Sequence, residues 1–293
     1  MGKAAAKIAE GIKEVGVMTY KDVLQSSMQE AGKALATTFQ FVFTPFTALQ
    51  FVNDVVKANL QHKLQQYEER LKLIPAEQRV EVHPELGVPI IQRLSYTTND
   101  EIANMFISLL TSASNMETLS DAHPSFISII DRLSPDEARM LVYMQEHYVD
   151  KTDDVPYVDF HGEPIRKKKS IEVGLGKIEP LDEDMFKFYE IASWLTILPK
   201  YVKLDFPEKM HLYWANLISC GIIKDMKGYY KDAYDEEYAA IEEYHEMKKI
   251  EEECVPTKYS KVKSQRTFFE ITKLGRDFIG ACLGAARSEG SAE

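Results

Sequence analysis

A chain of 293 residues with a net charge of −11 is long enough to bury a sizeable core, as one large domain or two modest ones. The negative balance disfavours a general nucleic-acid binder, whose affinity rests on Lys and Arg facing phosphates, although it leaves room for a local basic patch. Hydrophobic content of 45% and charged content of 28% suit a globular protein. Cys220, Cys254 and Cys282 form no CxxC pair and are odd in number, which points to reduced thiols in a cytoplasmic compartment.

The N-terminal stretch Met1-Gly2-Lys3-Ala4-Ala5-Ala6-Lys7 lacks the apolar core of a secretory signal, and Ala6 stands where a myristoylation signal needs Ser or Thr. Ile8, Ile12 and Val15 recur at helical spacing, weakened by Gly11 and Gly16. Ala34 to Asn53 contains no charged residue and carries Phe39, Phe41, Phe43, Phe46 and Phe51 around Pro45. It reads as a kinked core helix or helical hairpin, with a surface-lying membrane segment as the sharper alternative. Seven polar residues in the stretch count against a full span, because each would need a partner in lipid. These five phenylalanines are the candidate membrane or partner contacts.

Val56, Leu60, Leu64, Tyr67 and Leu71 then place one apolar seam along a helix that Pro75 ends. Pro84 opens a segment with Val88, Ile90, Ile91 and Leu94. Thr98 or Asn99 caps the next, whose stripe is Ile102, Met105, Phe106, Leu109, Leu110 and Ala113. His123-Pro124-Ser125 leads into a short buried helix with Phe126, Ile127, Ile129 and Ile130. Ser134, Pro135, Asp136 and Glu137 form a helix-start signature, ahead of a packing face of Ala138, Leu141, Val142 and Met144.

From Thr152 to Pro180, glycines, prolines and the run Arg166-Lys167-Lys168-Lys169 suggest a linker or extended arm. Gly174-Leu175-Gly176-Lys177 lacks the spacer and the following Ser or Thr of a phosphate loop. The last third reads as helix, helix, strand, inserted helix, strand, helix. Met185, Phe188, Tyr189, Ala192 and Leu195 make one stripe; Met210, Tyr213, Trp214, Leu217 and Ile218 make another. Gly221 is placed to end that helix in a left-handed turn, Ile222 and Ile223 start a strand, Thr267 to Ile271 form a second, and Thr272 caps the last helix. This layout resembles a winged-helix domain. Its wing is enlarged by the acidic stretch Asp232 to Cys254, which reads as a solvated helix.

A winged helix invites a nucleic-acid reading. Lys258, Lys261, Lys263 and Arg266 would suit backbone phosphate, but the acidic insert beside them would repel it, so protein contact is the better fit. No catalytic or metal motif survives inspection. His245-Glu246 is followed by Lys249 where a zinc protease needs histidine, and His83 and His123 are expected to make structural bonds at turns before proline. No catalytic residue, cofactor, metal or small-molecule substrate is expected.

Ile74-Pro75, Pro84-Glu85-Leu86-Gly87-Val88-Pro89-Ile90, Leu94-Ser95-Tyr96, Glu101-Ile102-Ala103-Asn104-Met105-Phe106 and Ser112-Ala113-Ser114-Asn115 resemble the Abi-alpha (abortive infection alpha) family. His123-Pro124-Ser125-Phe126 and Leu133-Ser134-Pro135-Asp136-Glu137-Ala138 match it best. The resemblance covers about residues 35 to 150 well and is weaker in the C-terminal part. It implies a bacterial anti-phage defence in which an infected cell arrests or dies before phage spreads, and it carries no catalytic residues over.

The expected architecture is mainly α. A helical Abi-alpha-like domain spans 1–150, a linker or arm 151–181, a winged-helix-like α+β domain with the acidic insertion 182–286, and a disordered tail 287–293. The expected function is a non-enzymatic, cytoplasmic defence protein, peripheral at the inner membrane if the phenylalanine segment engages lipid. It would act through a protein partner or a second copy of itself, or through a membrane surface. The rival readings are a winged-helix DNA-binding transcriptional regulator and an enzyme with an unrecognised site.

Overall fold

The computed structural model describes residues 33–35, 54–149, 156–158, 164–166, 175–181, 194–226, 235–254 and 261–284. The helix expected around Ile8, Ile12 and Val15, the Phe39–Phe51 segment and the stripe from Met185 to Ala192 lie outside them, as do Lys167 to Lys169, Lys258 and the tail. The described residues are mainly helical, with short antiparallel strand pairs. Two compact units emerge: Met1–Leu133 with Asp277–Glu293, and Ser134–Arg276.

In the first unit, α1 (Asp54–Leu73) follows the expected seam: Leu60, Leu64, Tyr67 and Leu71 are buried. It packs on α2 (Pro84–Tyr96) and α3 (Asp100–Ser112). Polar side chains of α1 fix the arrangement. The Asn59 amide donates to the carbonyls of Leu94, Ser95 and Thr97 at 3.0–3.3 Å, satisfying acceptors that the end of α2 leaves open. Arg70 donates to Ser108 Oγ at 2.8 Å and Asn104 Oδ1 at 3.0 Å. The Tyr67 hydroxyl lies 2.5 Å from Ser114 Oγ, which itself donates to the Leu110 carbonyl at 2.7 Å. Burial pushes the Tyr67 hydroxyl pKa well up, so it stays a donor.

Helix α3 is wrapped more completely than a single stripe predicts. Ala103 and every residue from Met105 to Ser112 are buried, because α1, α2 and α4 (Ser125–Ile130) all pack against it. Asn99 is its cap, accepting from the Ile102 N–H at 3.0 Å. The histidines before proline are turn-forming: His83 Nδ1 accepts from Glu85 N at 3.4 Å and His123 Nδ1 from Ser125 N at 3.2 Å. Residues from the far end of the chain complete this unit. Phe278 meets Phe126 edge-on at 5.4 Å, and Ser112 Oγ donates to the Ala281 carbonyl at 2.9 Å.

The second unit begins with α5 (Pro135–Met144), continued by a π turn over Gln145–Val149. Its buried face includes Ala138, Leu141 and Met144 as expected, but Met140 takes the place given to Val142, which is 37% exposed. Further along, β1 (Pro156–Val158) pairs with β2 (Pro164–Arg166), and β3 (Leu175–Leu181) runs antiparallel to a later strand described below. Helix α6 (Met210–Ser219) ends at Gly221, whose φ of 75° is the left-handed turn expected there.

Strand β4 (Ile223–Asp225) follows, then α7 (Asp235–Tyr244) and α8 (Met247–Cys254). The acidic insert is therefore two helices, broken at His245 and Glu246. It is also docked: Tyr238, Ile241 and Met247 are buried, Leu195 and Ile250 pack on Met247, and His245 Nε2 donates to the Thr196 carbonyl at 2.9 Å. The solvated-helix expectation fails because three-residue spacing, Tyr238 to Ile241 and Met247 to Ile250, gives these helices a narrow apolar edge beneath their acidic surface.

Strand β5 (Lys261–Thr267) pairs along its whole length with β3, from Leu175 opposite Thr267 to Leu181 opposite Lys261. Phe268 interrupts it before β6 (Phe269–Ile271), so the single strand expected over Thr267–Ile271 is two; β6 pairs with β4 instead. Helix α9 (Lys273–Leu283) starts under a Thr272 cap, whose hydroxyl accepts from Gly275 N at 2.8 Å and donates to the Gly221 carbonyl at 2.5 Å. Gly275 presses on the α6–β4 turn so closely that a Cβ would stand 2.1 Å from the Ile222 carbonyl oxygen.

Candidate functional site

Among the described residues, three clusters of polar and aromatic side chains stand out in the second unit. The first is the start of α5. Ser134 and Glu137 close a capping box: Glu137 Oε2 accepts from Ser134 N at 2.6 Å and Ser134 Oγ at 2.7 Å, while Glu137 N donates back to Ser134 Oγ. The remaining oxygen, Oε1, accepts from Asn216 Nδ2 at 2.7 Å. Asp136 is more heavily engaged. It accepts from the backbone N–H of Asp205 at 2.8 Å and of Phe206 at 3.0 Å, from the Tyr213 hydroxyl at 2.6 Å, and from Arg139.

Burial alone would push the Asp136 carboxyl pKa up. The hydrogen bonds from Tyr213, the two backbone N–H groups and Arg139 outweigh it and hold the group at about 2. Burial and then the bond to Asp136 push the Tyr213 hydroxyl up. Two adjacent buried carboxylates would suggest acid–base work. Here the donors around Asp136 hold it ionised at neutral pH, and the bonds of the two carboxylates tie α5, the 205–206 turn and α6 together.

The second place is an aromatic strip. Tyr143 stacks on His147 with ring centres 3.9 Å apart and on Tyr201 at 6.2 Å, the planes within 20° of parallel. Lys200 sits over Tyr201 and Lys209 over Phe206, at 5.9 and 4.3 Å. Tyr201, Phe206 and Leu212 are each more than half exposed. The π turn, a feature that recurs at functional sites, places His147 beneath Tyr143, and the His147 ring donates to the Tyr143 carbonyl at 2.9 Å. The sequence reading missed this strip because Tyr143 and Tyr201 are far apart in the chain and neither stands in a recognisable motif.

The third place is built around Arg266. Its Nε and Nη2 fork onto Glu242 at 3.1 and 3.3 Å, its Nη1 donates to Asp235 at 2.8 Å, and its guanidinium lies 5.4 Å from the Tyr238 ring centre. Asp235, Tyr238 and Glu242 recur at three and four residues, so one face of α7 makes the whole clamp. Of the expected phosphate contacts, Arg266 is thus already engaged by carboxylates. Lys261 and Lys263 share its strand, and Lys258 lies outside the described residues. The five phenylalanines proposed for membrane or partner contact also lie outside them.

A shallow groove of about 600 Å³ beside Trp194 is lined mainly by apolar groups, among them Ala215, Ile218 and Ile223. At its rim Asp225 accepts from the Trp194 indole N–H at 3.1 Å. Among the described residues no group of three or more His, Cys, Asp or Glu side chains is placed to hold a metal ion, and no helix is long and apolar enough to cross a membrane.

The sequence model of a family described as abortive infection alpha matches residues 57–282, well over half of the chain. The match runs past residue 150, where the resemblance read from the sequence weakens, and takes in α5 to α8. No curated protein matches the chain, and no solved structure matches it.

Proposed function

Because the chain belongs to the abortive infection alpha family, we propose that it is a bacterial anti-phage defence protein of abortive-infection type that acts without chemistry of its own, through contacts. The observation that carries the reading is the Tyr143–Tyr201 strip. Rigid, flat, half-exposed rings with cations over them are the composition of a protein-recognition surface. The conspicuous carboxylates of α5 support it too, since every donor around them serves architecture.

In this proposal the second unit is a winged-helix-like module used for recognition. Its α6, β4, β6 and the first turn of α9 follow the helix–strand–strand–helix order of such domains, and β3–β5 would form an enlarged wing. The partner is another protein or a second copy of the chain, and the phenylalanine segment at 34–53 would extend the contact surface to a second protein or to lipid. A DNA-binding transcriptional regulator is the rival. It meets an obstacle in the resting protein, where Glu242 and Asp235 hold the wing arginine.

The test is survival of cells with and without the protein across a phage panel. Protection is expected from the wild type and lost on Tyr143→Ala with Tyr201→Ala, with an unchanged melting temperature. Phe41→Asp with Phe46→Asp, together with liposome flotation, separates a lipid contact from a protein contact. Purified protein that turned over a nucleotide, nucleic acid or peptide, and lost that turnover on one side-chain change, would overturn the proposal.

A further inference from the structure

The aromatic strip rests on a regular scaffold. Asp136 and Tyr143 lie seven residues apart on α5, almost two full turns, so they share one face about 10 Å apart. The 201–206 segment runs along that face. At one end the Phe206 N–H is held on Asp136 Oδ2 at 3.0 Å, and at the other Tyr201 stacks on Tyr143. Each anchored ring carries a lysine, Lys209 over Phe206 and Lys200 over Tyr201. The strip therefore presents two exposed ring–cation pairs stationed two helical turns apart. Among the described residues neither ammonium meets a carboxylate, in a chain whose net charge is −11.

Helix α7 carries the complementary surface. Its Tyr238 and Ile241 are buried. On the opposite side Glu236, Ala239, Ala240 and Glu243 are exposed. Glu236 and Glu243 are again seven residues apart, so they stand on one line of the helix with the same spacing of about 10 Å. Only alanine methyls stand between them, which leaves room for flat rings to approach. Neither carboxylate meets a cation among the described residues, whereas Asp235 and Glu242 are taken up by Arg266.

We propose that the strip is the docking site for α7 of a second copy of this chain. Lys200 and Lys209 pair with Glu236 and Glu243, and Tyr201 and Phe206 lie against Ala239 and Ala240. Both surfaces belong to the second unit, and each copy offers both. The contact joins unlike patches, so it closes a pair or a ring or continues as an open array. Exposed ion pairs are individually weak and screened by salt, so the association is weak and salt-dependent. This deepens the reading of the strip as a protein-recognition surface by naming its partner, and it rests on that reading. Sedimentation decides the partner and phage survival decides the defence, so either can fail alone.

The experiment is sedimentation of the full chain over a concentration series. At about 0.05 M salt the average mass of the wild type is expected to rise above the 33.5 kDa of one chain, and at about 0.5 M to return to it. Lys200→Glu with Lys209→Glu, and separately Glu236→Lys with Glu243→Lys, should each remain single chains, because like charges then face one another. An equimolar mixture of the two should associate again, since each supplies the sign that the other has lost. Tyr201→Ala with Phe206→Ala should weaken association of the otherwise unchanged chain about tenfold.

A wild type that stays a single chain at every concentration would overturn the proposal, and the strip would then serve a different protein. Association that survives either charge reversal, or reversed variants that stay apart when mixed, would overturn it too. Melting curves establish that each variant is folded. Where a reversed variant is not, Lys200→Gln with Lys209→Gln and Glu236→Gln with Glu243→Gln carry the test, each with a smaller expected loss; no loss in either counts against the contact.

Discussion

The Tyr213 hydroxyl and Asp136 Oδ2 are 2.6 Å apart, joining the first turn of α5 to the first turn of α6 across 77 positions of sequence. Two backbone N–H groups and Arg139 share that carboxylate, so its charge is a structural part. Asp136→Asn is expected to cost about 3–5 kcal/mol, because Arg139 and a set of buried donors lose their ion. Tyr213→Phe should cost only about 1–2 kcal/mol. Urea unfolding at neutral pH measures both.

The same group sets a pH dependence. Its folded pKa of about 2 lies below the unfolded value of roughly 3.9. Between those values the unfolded chain binds more protons, so stability rises with pH there. The contribution is complete above pH ~4 and is lost as pH falls through about 2. Melting temperatures of wild type and Asp136→Asn, followed from neutral pH down to about 2, should converge across that window.

Gly275→Ala tests a close backbone approach in the second unit. The new methyl would meet the Ile222 carbonyl oxygen and carbon, neither of which can swing away as a side chain would. A loss of about 3 kcal/mol is expected from overpacking. The neighbouring Gly280, with open space around its Cβ position, should accept alanine with no loss. Equal stability of the two variants would refute the packing argument.

Thiol chemistry offers a probe of each unit, through Cys282 in the first and Cys220 in the second. Burial pushes the Cys282 thiol well up and shields it, and Cys220 is buried as well. In a Cys254→Ser background, both should resist a maleimide in native buffer and label together with the unfolding transition. Fast labelling of the native protein would contradict the burial described.

Local chemistry was the legible part of this fold. Asn99, Ser134, Gly221 and Thr272 announce helix ends because capping is decided within three or four residues. The seam through Leu60, Leu64, Tyr67 and Leu71 was equally plain. What depends on distant neighbours was not. Met140 displaces Val142 from the core, Phe268 splits one expected strand in two, and α3 is enclosed on nearly all sides.

The clamp lies between these cases. Asp235, Tyr238 and Glu242 show helical spacing in the sequence, but their common partner stands 24 residues beyond Glu242 and 31 beyond Asp235. Nothing in the pattern of α7 alone names Arg266. The aromatic strip was hidden for the same reason, since a stacked pair 58 positions apart leaves no local trace.

The contacts of Phe278 with Phe126, and of Ala281 with Ser112, impose an order on synthesis. A ribosome finishes every helix from Asp54 to Ile130 long before it reaches the residues that close their unit. The nascent polypeptide therefore carries an incomplete helical assembly until Phe278 and Ala281 have emerged. Anything that draws on the finished unit waits for that moment.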